Sequence, residues 1–219
     1  FDQLRIQGYS EAAIHIAPGS SQATHSNTFS NCIFNGGGIA KYGFYTGSTL
    51  NRVRVSFLGG GHTVSDIYLA EVGGSGLIIH DSNSEHSKAF LITGGPTGAT
   101  LKTRIEYCRF ATLAGQEYPI VFLSPGPLSI SGSDFEVSNL NMRILLHTAV
   151  PGAMSLEGNT FIMNQEFNEA LPVKSVINDT HGHWKKWILN NKLNKYLNDQ
   201  EVQVIDFTDI SDYPNKIEC

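Results

Sequence analysis

Two stretches of the chain alternate apolar and polar residues in the same way before a glycine and a phenylalanine. Residues 128–135 read LSISGSDF, and residues 154–161 read MSLEGNTF, 26 residues further along. Alternation with a period of two predicts a half-buried β-strand, and the glycine predicts a turn into the next strand. The residues predicted to stack inward, to fill the corner after the turn and to bend the backbone are Ile130/Leu156, Phe135/Phe161 and Gly132/Gly158, respectively.

Pairs of anchor positions five residues apart recur along most of the chain. The predicted pairs are Leu4/Tyr9, Phe29/Phe34, Val53/Leu58, Ile79/Ser84, Ile105/Phe110, Ile130/Phe135, Leu156/Phe161 and Ile188/Leu193. Their second members are 24 to 26 residues apart, except for a last interval of 32, and a second apolar stretch lies in most intervals. A unit this short cannot bury its apolar face alone and must stack on its neighbours. Stacking places equivalent strands in parallel sheets, with successive strands about 4.8 Å apart.

The apolar-x-apolar-x-Gly/Asn-x-x-Phe pattern resembles the coils of the right-handed parallel β-helix in the pectin lyase-like superfamily. The resemblance extends from Leu4 to about Leu193 and implies an all-β solenoid of about eight coils of about 25 residues. Leucine-rich repeats would need more leucines and a helix in each repeat, and a β-sandwich would not keep the anchors in step. The superfamily's coil serves pectate lyases, polygalacturonases, epimerases and bacteriophage tailspikes, so the resemblance specifies fold better than activity.

The pattern weakens toward the C-terminus. We expect coils over residues 1–164, and a last irregular part with a cap and tail over residues 165–219, within a single domain. Segment 183–198, HWKKWILNNKLNKYLN, has some helical character, but its anchors favour strand and loop. Trp184, Trp187 and Tyr196 are candidate cap residues, because an open solenoid end exposes apolar core and strand edges. The start lacks a methionine, which suggests a fragment of a larger protein.

Composition narrows the functional classes. Charged residues are 16% of the chain, there are 22 glycines, and the formal net charge is −5. This balance argues against binding of nucleic acid phosphates, and no apolar run reaches the roughly 18 residues needed to insert into a membrane. The first ten residues, FDQLRIQGYS, lack the charged-then-apolar form expected of a signal peptide.

A row of mostly small residues is predicted three positions after each first anchor. Its members are Gln7, Cys32, Ser56, Ser82, Cys108, Ser133, Asn159 and Asn191. The expected role of this row is hydrogen bonding along the turn. Cys32 and Cys108 would lie three strands apart, roughly 14 Å, which is too far for a disulfide, so both should be free buried thiols.

Positions directly before and after the first anchors should face solvent on one sheet. In the middle of the chain they include Arg52, Arg54, His80, Arg104, Glu106 and Glu157. In glycan cleavage, a base takes a proton, a carboxylic acid protonates the glycosidic oxygen, and arginine stabilises negative charge. The candidate catalytic residues are Glu106, Glu157 and His80. The candidate substrate-binding residues are Arg52, Arg54, Arg104, Glu85 and His86.

The two glutamates lie two predicted strands apart, about 9 to 10 Å between backbones, near the upper end of the ~6.5 to 9.5 Å carboxyl separation of inverting glycosidases. The alternative interpretation is a set of solvated pairs such as Arg54 with His80 and Arg104 with Glu106. Glu85 and His86 belong to DSNSEH, residues 81–86, where the apolar anchor is replaced by Ser84. A simple loop that leaves the coil is expected there, and a local protrusion or groove is the alternative.

No aspartate cluster typical of pectate lyases or polygalacturonases is present in the register, and we predict neither a metal nor a cofactor. The tailspike resemblance implies binding, and possible depolymerisation, of a bacterial surface polysaccharide by a homotrimer on a virion tail or in another extracellular setting. Whether the chain is an enzyme stays open. A secreted polysaccharide lyase or hydrolase, and a non-catalytic structural or adhesive solenoid, are the alternatives.

Overall fold

A computed structural model describes residues 1–16, 26–46, 54–71, 76–87, 89–93, 102–112, 120–122, 127–137, 145–147, 153–163, 177–179, 185–197 and 200–207. Every regular element in these ranges is a β-strand. The strands are Arg5–Gln7 (β1), Ala12–Ile16 (β2), Ser26–Ser30 (β3), Ile33–Thr46 (β4), Arg54–Leu58 (β5), Gly61–Glu71 (β6), Leu77–His80 (β7), Asn83–Ser87 (β8), Ala89–Thr93 (β9), Thr103–Glu106 (β10), Arg109–Thr112 (β11), Ile120–Phe122 (β12), Leu128–Ser131 (β13), Asp134–Val137 (β14), Leu145–His147 (β15), Ala153–Glu157 (β16), Thr160–Met163 (β17), Ile177–Asp179 (β18), Lys185–Leu189 (β19), Asn191–Leu197 (β20) and Gln200–Phe207 (β21).

The strands form two sheets between which the chain alternates. The first sheet has seven strands in the order β19-β16-β13-β10-β7-β5-β3, and all its pairs are parallel. The second sheet has 14 strands, and its only antiparallel pair among the described strands is β20 with β21. Each first-sheet strand is followed by a short turn and then by a second-sheet strand. The predicted all-β solenoid of parallel strands is therefore confirmed.

The turn from the first sheet to the second uses a left-handed backbone conformation at the same position each time. The residues with positive φ there are Gln3, Asn31, Gly59, Asp81, Tyr107, Gly132, Gly158 and Asn190. Glycine adopts this conformation freely, and asparagine and aspartate tolerate it better than most residues do. The predicted bend at Gly132 and Gly158, with φ of 56° and 62°, is confirmed.

The core consists of apolar side chains stacked along the solenoid. Ile130 pairs with Leu156 in register, and Phe135 pairs with Phe161; all four are at most 2% exposed. The rings of Phe135 and Phe161 lie 5.4 Å apart, a separation at which aromatic pairs add about 0.5 to 1.5 kcal/mol beyond their burial. The predicted inward stack and corner positions are confirmed here.

Two of the predicted anchor pairs are wrong in register. Phe57, not Val53, pairs with Ile79, and the corner position belongs to His62, which pairs with Ser84. The segment RVRVSFL has apolar residues at alternate positions, so interval length alone selected Val53. Tertiary packing selects Phe57 because its ring stacks on Phe29 at 5.3 Å, and because this register places two glycines in the left-handed turn.

The first predicted anchor pair, Leu4/Tyr9, is also out of register, because aromatic packing selects a different residue. Phe1 stacks on Phe29 with ring centroids 5.0 Å apart, and Ile6, not Tyr9, pairs with Phe34. Leu4 therefore lies after the turn, and its carbonyl accepts a hydrogen bond from the backbone N–H of Ile33. The five-residue spacing is retained in the new pairs Phe1/Ile6 and Phe57/His62.

The position directly after the left-handed residue carries the predicted row of small side chains. The residues at this position are Cys32, Gly60, Ser82, Cys108, Ser133, Asn159 and Asn191, with the larger Leu4 in the first turn, so the predictions of Gln7 and Ser56 are wrong. Hydrogen bonding along the row is confirmed in its last part. Ser133 N–H donates to Asn159 Oδ1 at 3.0 Å, and Asn159 N–H donates to Asn191 Oδ1 at 3.0 Å. These bonds join successive turns through buried amide side chains.

The C-terminal end differs from the parallel stack. Within the 183–198 segment, Lys185–Leu189 forms β19 and Asn191–Leu197 forms β20, so the favoured strand is confirmed and a second strand replaces the expected loop. β21 then pairs antiparallel with β20 from Asn191↔Phe207 to Leu197↔Gln200. This hairpin covers the edge of β20 and so supplies the edge protection expected of a cap. Trp184 lies outside the described residues. The division at residue 164 stays a prediction.

Candidate functional site

The outward surface of the first sheet carries two rows of stacked side chains. One row runs Thr28, Ser56, Ile78, Arg104, Ser129 and Ser155, and the other runs Ser30, Leu58, His80, Glu106, Ser131 and Glu157. Alternation within each strand puts the intervening residues in the core, as in β10, where Thr103 and Ile105 are buried. We call the outward residues of β7, β10, β13 and β16 the candidate face.

The structure brings the three predicted catalytic residues into one row of the candidate face. His80 pairs with Glu106, Glu106 with Ser131, and Ser131 with Glu157. The two glutamates are therefore two strands apart, as predicted, with backbones about 9 to 10 Å apart. Ser131 between them has a short side chain, so a ligand can approach both carboxylates. Their catalytic role stays a prediction.

Arg104 and Glu106 form an ion pair on β10. Arg104 Nε donates to Glu106 Oε1 at 2.9 Å, and Arg104 Nη2 contacts the same oxygen. The side chains are 46% and 18% exposed, so solvent screens the pair, and a pair of this kind contributes well under about 1 kcal/mol to stability. The predicted pairing is confirmed, although it joins residues i and i+2 of one strand. Its effect is to fix one Glu106 oxygen in position.

The structure does not place Arg54 beside His80. Arg54 pairs with Ser26, and the neighbour of His80 on β5 is Leu58. Arg54 begins β5, four residues before Leu58, so its backbone lies about 13 Å along the strand from the row that contains His80. The predicted Arg54 with His80 pair is therefore wrong, because the register of β5 is four residues from the one expected. Arg52 lies outside the described residues.

Glu85 and His86 belong to the second sheet. Glu85 pairs with Ala111, while His86 is the extra residue of a β-bulge with φ of 57°. Asn83 Nδ2 donates to Glu85 Oε1 at 3.1 Å. β8 continues through residues 83–87 with this bulge, so the chain does not leave the coil there as a loop. Because β8 belongs to the second sheet, Glu85 and His86 lie across the turn from the candidate face. Their proposed role in substrate binding stays a prediction.

Tyr107 was missed by the sequence reasoning. It occupies the left-handed turn after β10 with φ of 55° and is 65% exposed. The centroids of the Tyr107 and His80 rings lie 5.5 Å apart in a T-shaped arrangement. The available signal was a tyrosine two positions after the first anchor, where Gly132 and Gly158 occupy the equivalent turns.

A second missed residue is buried. His62 is 1% exposed and lies between Phe34 and Ser84 in register, and burial lowers its pKa from 6.5 to about 3. It is held neutral in the core and lies away from the candidate face. Once Phe57 is taken as the first anchor, the five-residue spacing identifies this position.

The predicted free, buried state of Cys32 and Cys108 is confirmed. Burial raises the pKa of Cys108 to about 12, and its Sγ donates to the carbonyl oxygens of Glu106 at 3.2 Å and Ile79 at 3.5 Å. A thiol protonated in this way is a poor nucleophile and a poor metal ligand.

Across the part of the chain that the structure describes, no group of three or more His, Cys, Asp or Glu side chains is arranged to hold a metal ion. The same residues include no helix long and apolar enough to cross a bilayer.

Comparison with known proteins identifies no relative. No protein-family model matches the chain, and neither a curated protein nor a solved structure matches it significantly.

Proposed function

We propose that the chain is part of a right-handed parallel β-helix of the pectin lyase-like type, with about eight coils, and that it binds a bacterial surface polysaccharide along the candidate face. The observation that carries the proposal is the row formed by His80, Glu106, Ser131 and Glu157 on successive parallel strands. Such a row offers hydrogen-bonding groups at a repeat of about 4.8 Å along one line. A regular, extended polymer with many hydroxyls is the ligand that such a repeat suits.

The small polar residues of the face support binding along its length. Ser129, Ser131 and Ser155 are partly exposed on β13 and β16 beside the charged residues. Serine hydroxyls donate and accept hydrogen bonds and leave space for a bulky chain to approach the backbone. The Arg104–Glu106 pair adds a positioned cation and anion next to these serines.

Hydrolysis of the bound polymer is the second candidate function. It is favoured by one observation: Glu106 and Glu157 are separated by a single intervening strand with a serine between them. At this separation one carboxyl group could protonate the glycosidic oxygen while the other activates water, the arrangement used in inversion. In that reaction His80 would serve as an auxiliary proton carrier, and Arg104 would hold Glu106 in place.

The oligomeric state and the location of the protein are proposed from the resemblance to the pectin lyase-like superfamily. A bacteriophage tailspike or tail appendage would be a homotrimer on a virion tail, whereas a secreted lyase or hydrolase of the same fold would work as a monomer. A non-catalytic adhesive solenoid would bind without turnover. Measurement of molecular mass by light scattering separates the first two cases, and a mass of one chain together with no glycan affinity would count against the tailspike proposal.

The experiment is a binding and cleavage screen with bacterial capsular and lipopolysaccharide glycans, read by calorimetry, reducing ends and unsaturated-sugar absorbance. We expect Glu106→Gln and Glu157→Gln to weaken binding severalfold and, if turnover occurs, to lower it by 100-fold or more. Glu136→Gln is the matched control, because Glu136 forms the corresponding surface pair with Arg109 at 3.8 Å on the second sheet. An equal loss in this control would refute the assignment to the candidate face.

A further inference from the structure

Tyr107 is unusual for the position that it occupies. Among the described residues at the turn between the sheets, it is the only aromatic side chain, and most of the others are glycine, asparagine or aspartate. A bulky residue is disfavoured at positive φ because its Cβ approaches the following carbonyl oxygen. Backbone strain of this kind gathers at functional sites and persists only where the surroundings hold it in place.

The surroundings of the ring explain how it is held. A Cβ added at Gly132 would lie 2.8 Å from two carbons of the Tyr107 ring, so the ring lies directly against the backbone of the next turn. Its centroid lies 5.5 Å from the centroid of the His80 ring in a T-shaped arrangement. The glycine at 132 is thus needed to make room for Tyr107. Two neighbours fix the ring while it stays 65% exposed.

The groups around the ring have the chemistry of a sugar subsite. Leu58, 40% exposed, is the register neighbour of His80 on β5, and Glu106 directly precedes Tyr107 in the chain. An aromatic ring presents a flat face that packs on apolar C–H groups, while the tyrosine hydroxyl remains available for hydrogen bonding. The Arg104–Glu106 pair lies on β10, the strand that leads into this turn, and its charged groups are hydrogen-bonding partners for hydroxyl groups.

We propose that Tyr107 is the stacking platform of a subsite for one pyranose unit, which lies with its apolar face on the ring and its hydroxyls toward Arg104 and Glu106. The proposal rests on the proposed function, since it names the part of the candidate face that selects the sugar. It favours sugars whose C–H groups form a continuous flat face. A purely structural role at this turn would not require an aromatic residue, because Asn31, Gly59 and Asn190 make the same turn.

The test separates binding from folding through the residue put in place of Tyr107. Tyr107→Asn installs a side chain that the same turn uses elsewhere, so strain is relieved and we expect Tm to be unchanged or about 2 to 4 °C higher. With the tightest glycan from the capsular and lipopolysaccharide panel, we expect Kd to rise about tenfold or more. Tyr107→Phe keeps the ring and should remain within about threefold of the unmodified chain. Asn190→Gly, three turns away, is the matched control and should bind normally.

The possible results are distinct. Weaker binding by Tyr107→Asn with Tm maintained supports the subsite. Normal binding by Tyr107→Asn overturns the subsite and leaves the proposed function intact. A fall in Tm of more than about 4 °C shows that the ring is structural and overturns the proposal. If no glycan in the panel binds the unmodified chain, the proposed function fails first and the subsite fails with it.

Discussion

Replacement of His62 by glutamine should remove a specific acid sensitivity of the fold. His62 is buried in the core, and burial lowers its pKa from 6.5 to about 3. Between these two values the unfolded chain binds a proton at His62 and the folded chain does not. Protonation therefore favours the unfolded state, and stability decreases as the pH falls from 6.5 toward 3.

The magnitude follows from linkage. Well below pH 6.5 each pH unit costs about 1.4 kcal/mol. Because the unfolded imidazole is already half protonated at pH 6.5, a decrease from pH 6.5 to pH 4.5 should destabilise the unmodified chain by about 2.3 kcal/mol through His62 alone. The carboxylates contribute to acid unfolding in both chains and cancel in the difference. The measurements end at pH 4.5, where the folded chain is still unprotonated at His62 because its folded pKa is about 3.

The assay is urea unfolding at several pH values between 4.5 and 7.5. His62→Gln should be less stable than the unmodified chain near pH 7, because a packed core side chain is altered. At pH 4.5 the difference in unfolding free energy between the two chains should be smaller by about 2 to 3 kcal/mol. Phe135→Leu is the control, since it also alters the core without removing a titrating group, and its offset should not vary with pH. Parallel stability curves for His62→Gln and the unmodified chain would refute the reasoning.

Two further substitutions test the register and the row of small residues after the turn. Gly60→Ala should unfold the chain or lower its unfolding free energy by more than about 4 kcal/mol, because a Cβ there would lie 2.1 Å from the carbonyl oxygen of Cys32. Gly37 also has positive φ, but a Cβ added there would have no atom within 4 Å. Gly37→Ala should therefore cost only about 1 to 2 kcal/mol, measured by urea unfolding. Equal costs would contradict the observed register. Asn159→Ala should lower the unfolding free energy by about 2 to 4 kcal/mol, because it leaves the buried N–H of Ser133 without its 3.0 Å acceptor, and a loss below 1 kcal/mol in thermal unfolding would show that the row contributes little.

The repeat in the sequence was sufficient to predict a parallel solenoid because its cause is local. Alternation such as that in residues 128–131 can bury only one face of a strand, and the glycine that follows can take the left-handed turn. The observed pairing of Ile130 with Leu156 and of Phe135 with Phe161 follows from copies of one pattern stacking in register. The stacking of Glu106 and Glu157 in one row follows from the same rule.

The register near the start required tertiary packing. Val53, Val55 and Phe57 alternate equally well, so the local pattern could not choose among them. Packing chose Phe57, since its ring stacks on Phe29. This choice moved Arg54 away from His80 and replaced it with Leu58.

The residues of the candidate site likewise include some that the sequence predicted and one that only the tertiary structure identified. The sequence by itself determined the row of His80, Glu106 and Glu157, because a period fixes which residues share a face. Only the tertiary structure decided that Tyr107 lies against Gly132, since this contact joins different turns and depends on the side chain that Gly132 lacks. A repeat determines which positions are equivalent, whereas packing between non-equivalent side chains determines what each position does.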